Sequence, residues 1–241
     1  MSTAPARATV SVKELTELGQ RFETEPAGAI VRWATDTFGA DRLCVAFSGQ
    51  DTVLVDIAAQ VDPDIEFVFI DTGYHFAETL ETVERARVRY GLNLRVMRVP
   101  ATNPPLWEID PVSCCSAAKV AQLDAALQGK LAWLSGLRRA EAPTRADTPI
   151  VGLDHRGLVK INPLATWSDT DVSGYVADHD LLINPLVERG YPSIGCAPCT
   201  RPVDTGEDAR AGRWPGTDKT ECGLHGEAPN PGQPSLTLRT P

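Results

Sequence analysis

Short apolar runs that end in small or polar turns recur along this chain, and they constrain its fold more than any other feature. The run Leu43–Phe47 (LCVAF) ends in Ser48-Gly49-Gln50-Asp51 and is followed by DTVLVDIAAQ, whose apolar residues have helical spacing. Residues 66–70 (EFVFI) run into Asp71-Thr72-Gly73 and then a charged amphipathic helix over 76–90. Further strands are expected at 94–99, at 131–134 before Ser135-Gly136-Leu137-Arg138-Arg139, and at 158–161 before Asn162-Pro163-Leu164. Alternation of this kind predicts an α/β fold with a mostly parallel sheet and right-handed crossovers. Such sheets bind ligands beyond the carboxyl ends of their strands, where four of these turns converge.

The flanking segments are expected to cover this sheet. Ser11-x-x-Glu14 reads as a capping box for a helix to about residue 22, a second helix covers 28–38, and Ser168-x-x-Asp171 opens a third to about 179. Residues 184–192 form a Pro/Gly-rich crossing segment, and beyond Thr200 apolar periodicity disappears. The expected organisation is therefore one α/β domain over 1–200 and a flexible segment over 201–241, disordered from Gly226 onward.

With 241 residues, of which 42% are hydrophobic, the chain can bury a sizeable core. A net charge of −9 argues against a broad nucleic-acid surface. Local groups of cations remain, at Arg138, Arg139 and Arg145 and again at Arg201, Arg210, Arg213 and Lys219, and these suit a small anionic ligand. The N-terminus lacks an apolar signal-like run, and no stretch of about 18 apolar residues occurs. We therefore expect a cytoplasmic protein without a membrane segment, whose six cysteines are metal ligands or reactive thiols rather than a disulfide framework.

Those cysteines fall into distinct settings. Cys196-x-x-Cys199 suits metal chelation or redox work, and Cys114-Cys115 are adjacent. Adjacent thiolates strain a single tetrahedral zinc but suit neighbouring irons of one cluster; structural zinc and unrelated thiols stay open as alternatives. Lys119 follows Cys115 by four residues and would share its helical face, near a negatively charged cluster or an anionic substrate, unless it is a solvated surface lysine. Cys44 lies inside a strand pattern and reads as a small buried hydrophobe. Cys222 has no ligand spacing to another cysteine; Lys219 and His225 favour its thiolate, Glu221 opposes it, and it reads as a nucleophile or an incidental thiol. The SGQD turn before a helix is either an anion cradle or an ordinary βα turn.

Taken together, CC followed by Lys119, SGLRRAEAPTRA, KINPLATW, NPLVERGYPSIGCAPCTRPV, ARAGRW and KTECGLH resemble the assimilatory adenylyl-sulfate (APS) reductases of the phosphoadenylyl-sulfate (PAPS) reductase family, over roughly 42–225. The resemblance implies a Rossmann-like adenine nucleotide alpha-hydrolase fold, a [4Fe–4S] cluster on Cys114, Cys115, Cys196 and Cys199, a catalytic Cys222 and thioredoxin as electron donor. It also implies that Lys119, Arg138, Arg139, Arg210, Arg213 and His225 surround the sulfate and phosphate. Ser48, Gly49 and Asp51 would line the nucleotide, with Asp71, Thr72 and Gly73 near the adenosine. Two departures from the family pattern are Ala118, where an Arg is usual, and a SGQD turn one residue shorter than many counterparts. Rival readings are a PAPS reductase of the same mechanism, an adenylating ATP pyrophosphatase of related fold, and a zinc-stabilised binding module. A homo-oligomer is compatible with the sequence.

Overall fold

The computed structural model describes residues 11–110, 114–217 and 219–225, with backbone alone at Cys115, Ser116 and His225. The expected disorder from Gly226 onward lies outside the described residues.

Helix α1 (Val12–Phe22) begins at the expected capping box: the Glu14 amide donates to Ser11 Oγ at 3.2 Å and the Ser11 amide to Glu14 Oε2 at 2.7 Å. After α2 (Ala27–Phe38) come β1 (Leu43–Phe47), α3 (Val53–Val61), β2 (Glu66–Asp71), α4 (Ala77–Tyr90) and β3 (Asn93–Arg98). A one-turn α5 (Leu106–Ile109) and a π-helical turn over Cys114–Ala118 lead into α6 (Lys119–Ala126). The chain then adds β4 (Ala132–Leu134), β5 (Val151–Leu153), β6 (Val159–Ile161) and α7 (Asp169–Asp178).

The six strands order as β3-β2-β1-β4-β6-β5, all parallel except β5, which runs antiparallel to β6. Strand β5 went unrecognised in the sequence because three residues, VGL, carry too little periodicity to signal a strand. The chain leaves β1 toward β2 and β3 and then returns to the other side of β1 with β4. The strand order therefore reverses between β1 and β4, and a crevice opens at that point.

Side-chain alternation along β1 divides the core. Leu43, Val45 and Phe47 join Ile30, Val31, Ile57 and Phe67 on one face; Cys44 joins Val68, Trp133 and Leu123 on the other, with Leu224 of the C-terminal segment packed against them. Burial pushes the Cys44 thiol up to about 12, in keeping with a small hydrophobe.

Residues after the sheet are pinned by backbone pairing. Ala197 N donates to Tyr74 O at 2.8 Å, Arg201 N to Gly212 O at 2.9 Å and Trp214 N to Cys199 O at 2.9 Å. The loop between Thr200 and Arg213 thus closes as a short antiparallel pairing and brings the chain back to the sheet edge.

Candidate active site

A cavity of about 340 Å³ occupies the crevice beyond β1 and β4. Its first wall is the turn after β1, which Asn184 holds in place. The buried Asn184 amide nitrogen donates to Gly49 O at 3.1 Å and Thr79 Oγ1 at 3.0 Å, while its oxygen accepts the Leu186 amide at 3.0 Å. Gln50 ties the same turn to the crossing segment, donating to Pro192 O at 3.1 Å and accepting the Ile194 amide at 3.0 Å. Asp51 accepts the Val53 amide at 3.0 Å, so a carboxylate of the protein already uses a donor at the start of α3. Burial raises the Asp51 carboxyl above the ordinary range, partly offset by that hydrogen bond.

The second wall follows β4. Ser135 Oγ donates to Asn162 Oδ1 at 2.8 Å, and Arg138 pairs with Asp169 at 2.8 Å while donating to Trp167 O at 3.3 Å. Arg139 does not join this wall. It makes two hydrogen bonds to Glu23, at 2.8 and 2.7 Å, and one to Thr148 O at 2.9 Å, which fasten the turn to the end of α1. Arg145 lines the cavity instead, carried there by the 3₁₀ turn Pro143–Arg145.

The third wall is the C-terminal segment. Buried Trp214 sits at φ +47°, a left-handed conformation that bulky residues rarely adopt, and packing holds it there. Its ring packs with Cys199 and Cys222, and three cations approach it: Arg213 at 4.5 Å, Arg210 at 5.7 Å and Lys219 at 5.7 Å. Cys222 is half-buried and lines the cavity beside Arg210, Arg213 and, from α6, Lys119. His75 lines it too; burial lowers its pKa despite a 2.9 Å hydrogen bond to Ile70 O.

Of the residues expected from sequence, Ser48, Asp51, Lys119, Arg138, Arg210, Arg213 and Cys222 share this cavity, and Gly49 supplies the turn behind it. Asp71, Thr72 and Gly73 do not line it. Asp71 accepts the Gly73 amide at 2.9 Å, and the Thr72 hydroxyl lies 3.1 Å from Cys196 Sγ, so this turn supports the Cys196–Cys199 segment instead. The side chain of His225 lies outside the described residues. Arg145, one of the local group of cations in the sequence, and Gln50, within the SGQD turn, belong to the site or its frame, as do His75 and Asn184, which the sequence does not mark because polar residues in loops carry no periodic signal.

Cys114, Cys196 and Cys199 are 7, 8 and 7% exposed. The latter two occupy the ends of one 3₁₀ turn, Cys199 packs near Cys222, and residues Gly223–His225 pack against the Cys114–Ala118 turn. In donor type and burial these cysteines fit a sulfur-ligated cluster better than a solvated metal. Among the described residues no three His, Cys, Asp or Glu are grouped to hold a metal ion, and the Cys115 side chain lies outside them. Among the described residues no helix is long and apolar enough to cross a membrane.

Known proteins resemble this arrangement in sequence and in fold. The phosphoadenosine phosphosulfate reductase domain matches residues 42–202. An adenosine 5′-phosphosulfate reductase of Streptomyces coelicolor is 48% identical over 91% of this chain and 97% of its own length. One from Mycobacterium tuberculosis is 43% identical, over 88% of this chain and 95% of its own. The crystal structure of a phosphoadenylyl-sulfate reductase from Candida auris, a phosphate complex, aligns with a TM-score of 0.70 at 25% identity, over 80% of this chain and 98% of that one. A Candida glabrata FMN adenylyltransferase shares the fold alone, with a TM-score of 0.59 at 15% identity over 92% of this chain and 80% of that one. Parallel sheet, crevice and cation-lined cavity thus agree with extended sequence identity, and the chain belongs to the phosphoadenosine phosphosulfate reductase family.

Proposed function

We propose that the chain reduces adenylyl sulfate to sulfite and AMP, with Cys222 as the nucleophile and thioredoxin as the reductant. The observation that carries this reading is the Cys222 thiol at the wall of the cavity that Lys119, Arg138, Arg210 and Arg213 also line. Relatives 43–48% identical are named adenosine 5′-phosphosulfate reductases, which supports adenylyl sulfate over its 3′-phosphorylated form.

In the first step the Cys222 thiolate attacks the sulfate sulfur. A sulfur–sulfur bond forms, the bond from sulfur to the bridging oxygen breaks, and AMP leaves with that electron pair. Cations beside the thiol neutralise the sulfate and the phosphate that gathers charge. The product is an S-sulfocysteine. A thioredoxin thiolate then attacks Cys222 Sγ, sulfite leaves with the electron pair, and the second thioredoxin thiol resolves the mixed disulfide. Two thiols of the partner thus supply both electrons.

Cys114, Cys115, Cys196 and Cys199 would hold a [4Fe–4S] cluster, which would supply a fixed charged centre beside the substrate site and tie the Cys196–Cys199 turn to the Cys114–Ala118 turn. Thr72 is placed to tune it through the 3.1 Å contact to Cys196 Sγ.

The test is sulfite release from adenylyl sulfate with thioredoxin by anaerobically purified protein, with iron and sulfide measured on the same sample. A higher kcat/KM for PAPS would overturn the substrate, and AMP release without sulfite would indicate adenylyl chemistry. Cys222→Ser should abolish covalent S-sulfonation and leave the cluster's visible absorption intact; turnover by that variant would remove Cys222 from the mechanism.

A further inference from the structure

Four hydrogen bonds hold the carboxylate of the residue before the reacting thiol. Glu221 Oε1 accepts from Thr144 Oγ1 and from Arg145 Nε, each at 2.9 Å. Its Oε2 accepts from Arg145 Nη2 at 2.8 Å and from Arg210 Nη2 at 3.0 Å. Arg145 therefore meets the carboxylate with two parallel bonds, the strongest arrangement for these groups. Its remaining Nη1 donates to Glu141, at the end of the preceding 3₁₀ turn Arg139–Glu141, which sets the direction of the fork independently of Glu221. Burial works against the Glu221 carboxylate, yet Arg145 and Arg210 hold it below the ordinary Glu range.

An exposed ion pair with this geometry would contribute little. Here the Arg145 and Arg210 side chains are 11 and 13% exposed, and the carboxylate is one residue from Cys222. Thr144 and Arg145 belong to the turns after β4, so the contact spans from the α/β body to the C-terminal segment. Leu224 lies on the far side of the thiol and packs against the second core layer. Cys222 is thus bracketed by a polar anchor on one side and an apolar one on the other.

We propose that Glu221 is a positioning residue, whose carboxylate docks on Thr144 and Arg145 and latches the C-terminal segment with the Cys222 thiol at the cavity. Arg145 is the fixed half of the latch rather than a ligand for the substrate. This rests on Cys222 as the reacting thiol. It also resolves the conflict in the sequence, where Glu221 opposes a thiolate, because two guanidinium groups neutralise the carboxylate.

Alkylation of Cys222 by iodoacetamide, followed by mass spectrometry on the holoenzyme without substrate, reads docking directly. Undocking exposes the thiol, and loss of this charge-assisted contact should accelerate the reaction about tenfold in Glu221→Ala and in Arg145→Ala. Simple electrostatics at the thiol has opposite signs in these two variants, whereas release of a latch has the same sign. Their double variant should react no faster than either single one, and Glu221→Asp should recover part of the protection. With substrate, Glu221→Ala should slow S-sulfonation through kcat with little change in KM. Unchanged alkylation in Glu221→Ala, additive effects, or a KM effect with kcat preserved would each overturn the latch. Should Arg145→Ala fail to fold, Arg145→Lys, which keeps the charge but loses the fork, takes its place. Failure of Cys222 as nucleophile would appear separately, as S-sulfonation persisting in Cys222→Ser.

Discussion

Gly195, the residue before the Cys196-x-x-Cys199 turn, is where a single methyl group should test the role of Arg213. A Cβ there would lie 2.4 Å from Arg213 Nη2 and 2.7 Å from Arg213 Cζ, with no backbone atom among its nearest neighbours. Gly195→Ala must therefore push the guanidinium aside while the chain itself stays in place. The displaced group forfeits its stacking over Trp214 at 4.5 Å, worth roughly 1–2 kcal/mol in a desolvated site. It also forfeits hydrogen bonds to Ser193 Oγ at 3.3 Å and Ile194 O at 3.2 Å, long contacts worth about 0.5 kcal/mol each. About 2 kcal/mol of preorganisation is lost, which corresponds to a rise in KM of about thirtyfold if Arg213 holds the anionic substrate. The folded chain loses the same contacts, so Tm should fall by about 5 °C and no further, because only a flexible side chain yields. Steady-state kinetics with adenylyl sulfate and a thermal melt of the same sample provide both readings. A KM within twofold of the parent would refute the role of Arg213, and a large fall in Tm would refute the claim that the backbone stays in place.

Gly212→Ala should act on the backbone instead: its Cβ would lie 2.2 Å from the Arg201 carbonyl oxygen, so the pairing across Thr200 and Arg213 must open, with a loss of about 2–4 kcal/mol seen as a lower Tm and faster hydrogen exchange at the Arg201 amide. Asn184→Ala strands three buried partners, Gly49 O, Thr79 Oγ1 and the Leu186 amide, and should cost about 3 kcal/mol, a fall in Tm of about 8 °C. Lys160, in β6 over the Trp133 ring at 4.9 Å, has its pKa lowered to about 8 by burial. Below pH 8 both states carry the charge and the burial penalty is complete; between pH 8 and about 10.4 the unfolded chain binds more protons, so stability rises with pH. Lys160→Met should therefore stabilise the protein by about 1–2 kcal/mol at pH 7, after the lost ring contact is deducted, and denaturation at pH 10 should find that gain diminished. A gain that grows with pH would contradict the burial argument.

Much of this site was legible because strand ends in a parallel sheet are marked by abrupt changes of composition. LCVAF followed by SGQD, and AWL followed by SGLRR, place both lips of the crevice before any coordinates are known. What could not be read is which of several like residues faces inward. Arg138, Arg139 and Arg145 lie in one run, and their directions depend on two successive 3₁₀ turns and on Glu23, which claims Arg139 from a helix more than a hundred residues earlier. Strand β5 is too short for a period, and Asn184 acts through Gly49 and Thr79, both more than a hundred residues earlier. The contact of Thr72 in the DTG turn with Cys196, more than a hundred residues later, has no signal in the sequence either.

The cations at this cavity reveal how an acidic protein with a net charge of −9 can keep several arginines together before a ligand arrives. Clustered, part-buried guanidinium groups repel each other and lose hydration, so each needs a counterpart. Arg138 has Asp169, while Arg145 and Arg210 share Glu221; in each pair a carboxylate takes in-plane N–H donors that an incoming phosphate or sulfate would otherwise use. Arg213 also has an aromatic counterpart. Trp214 meets the face of its guanidinium, and a π-face attracts the charge without competing for those in-plane donors. That part of the Arg213 compensation survives the arrival of an anion unchanged. Trp214, with its left-handed backbone between Cys199 and Cys222, is the neutral surface that guanidinium and thiol share on one wall.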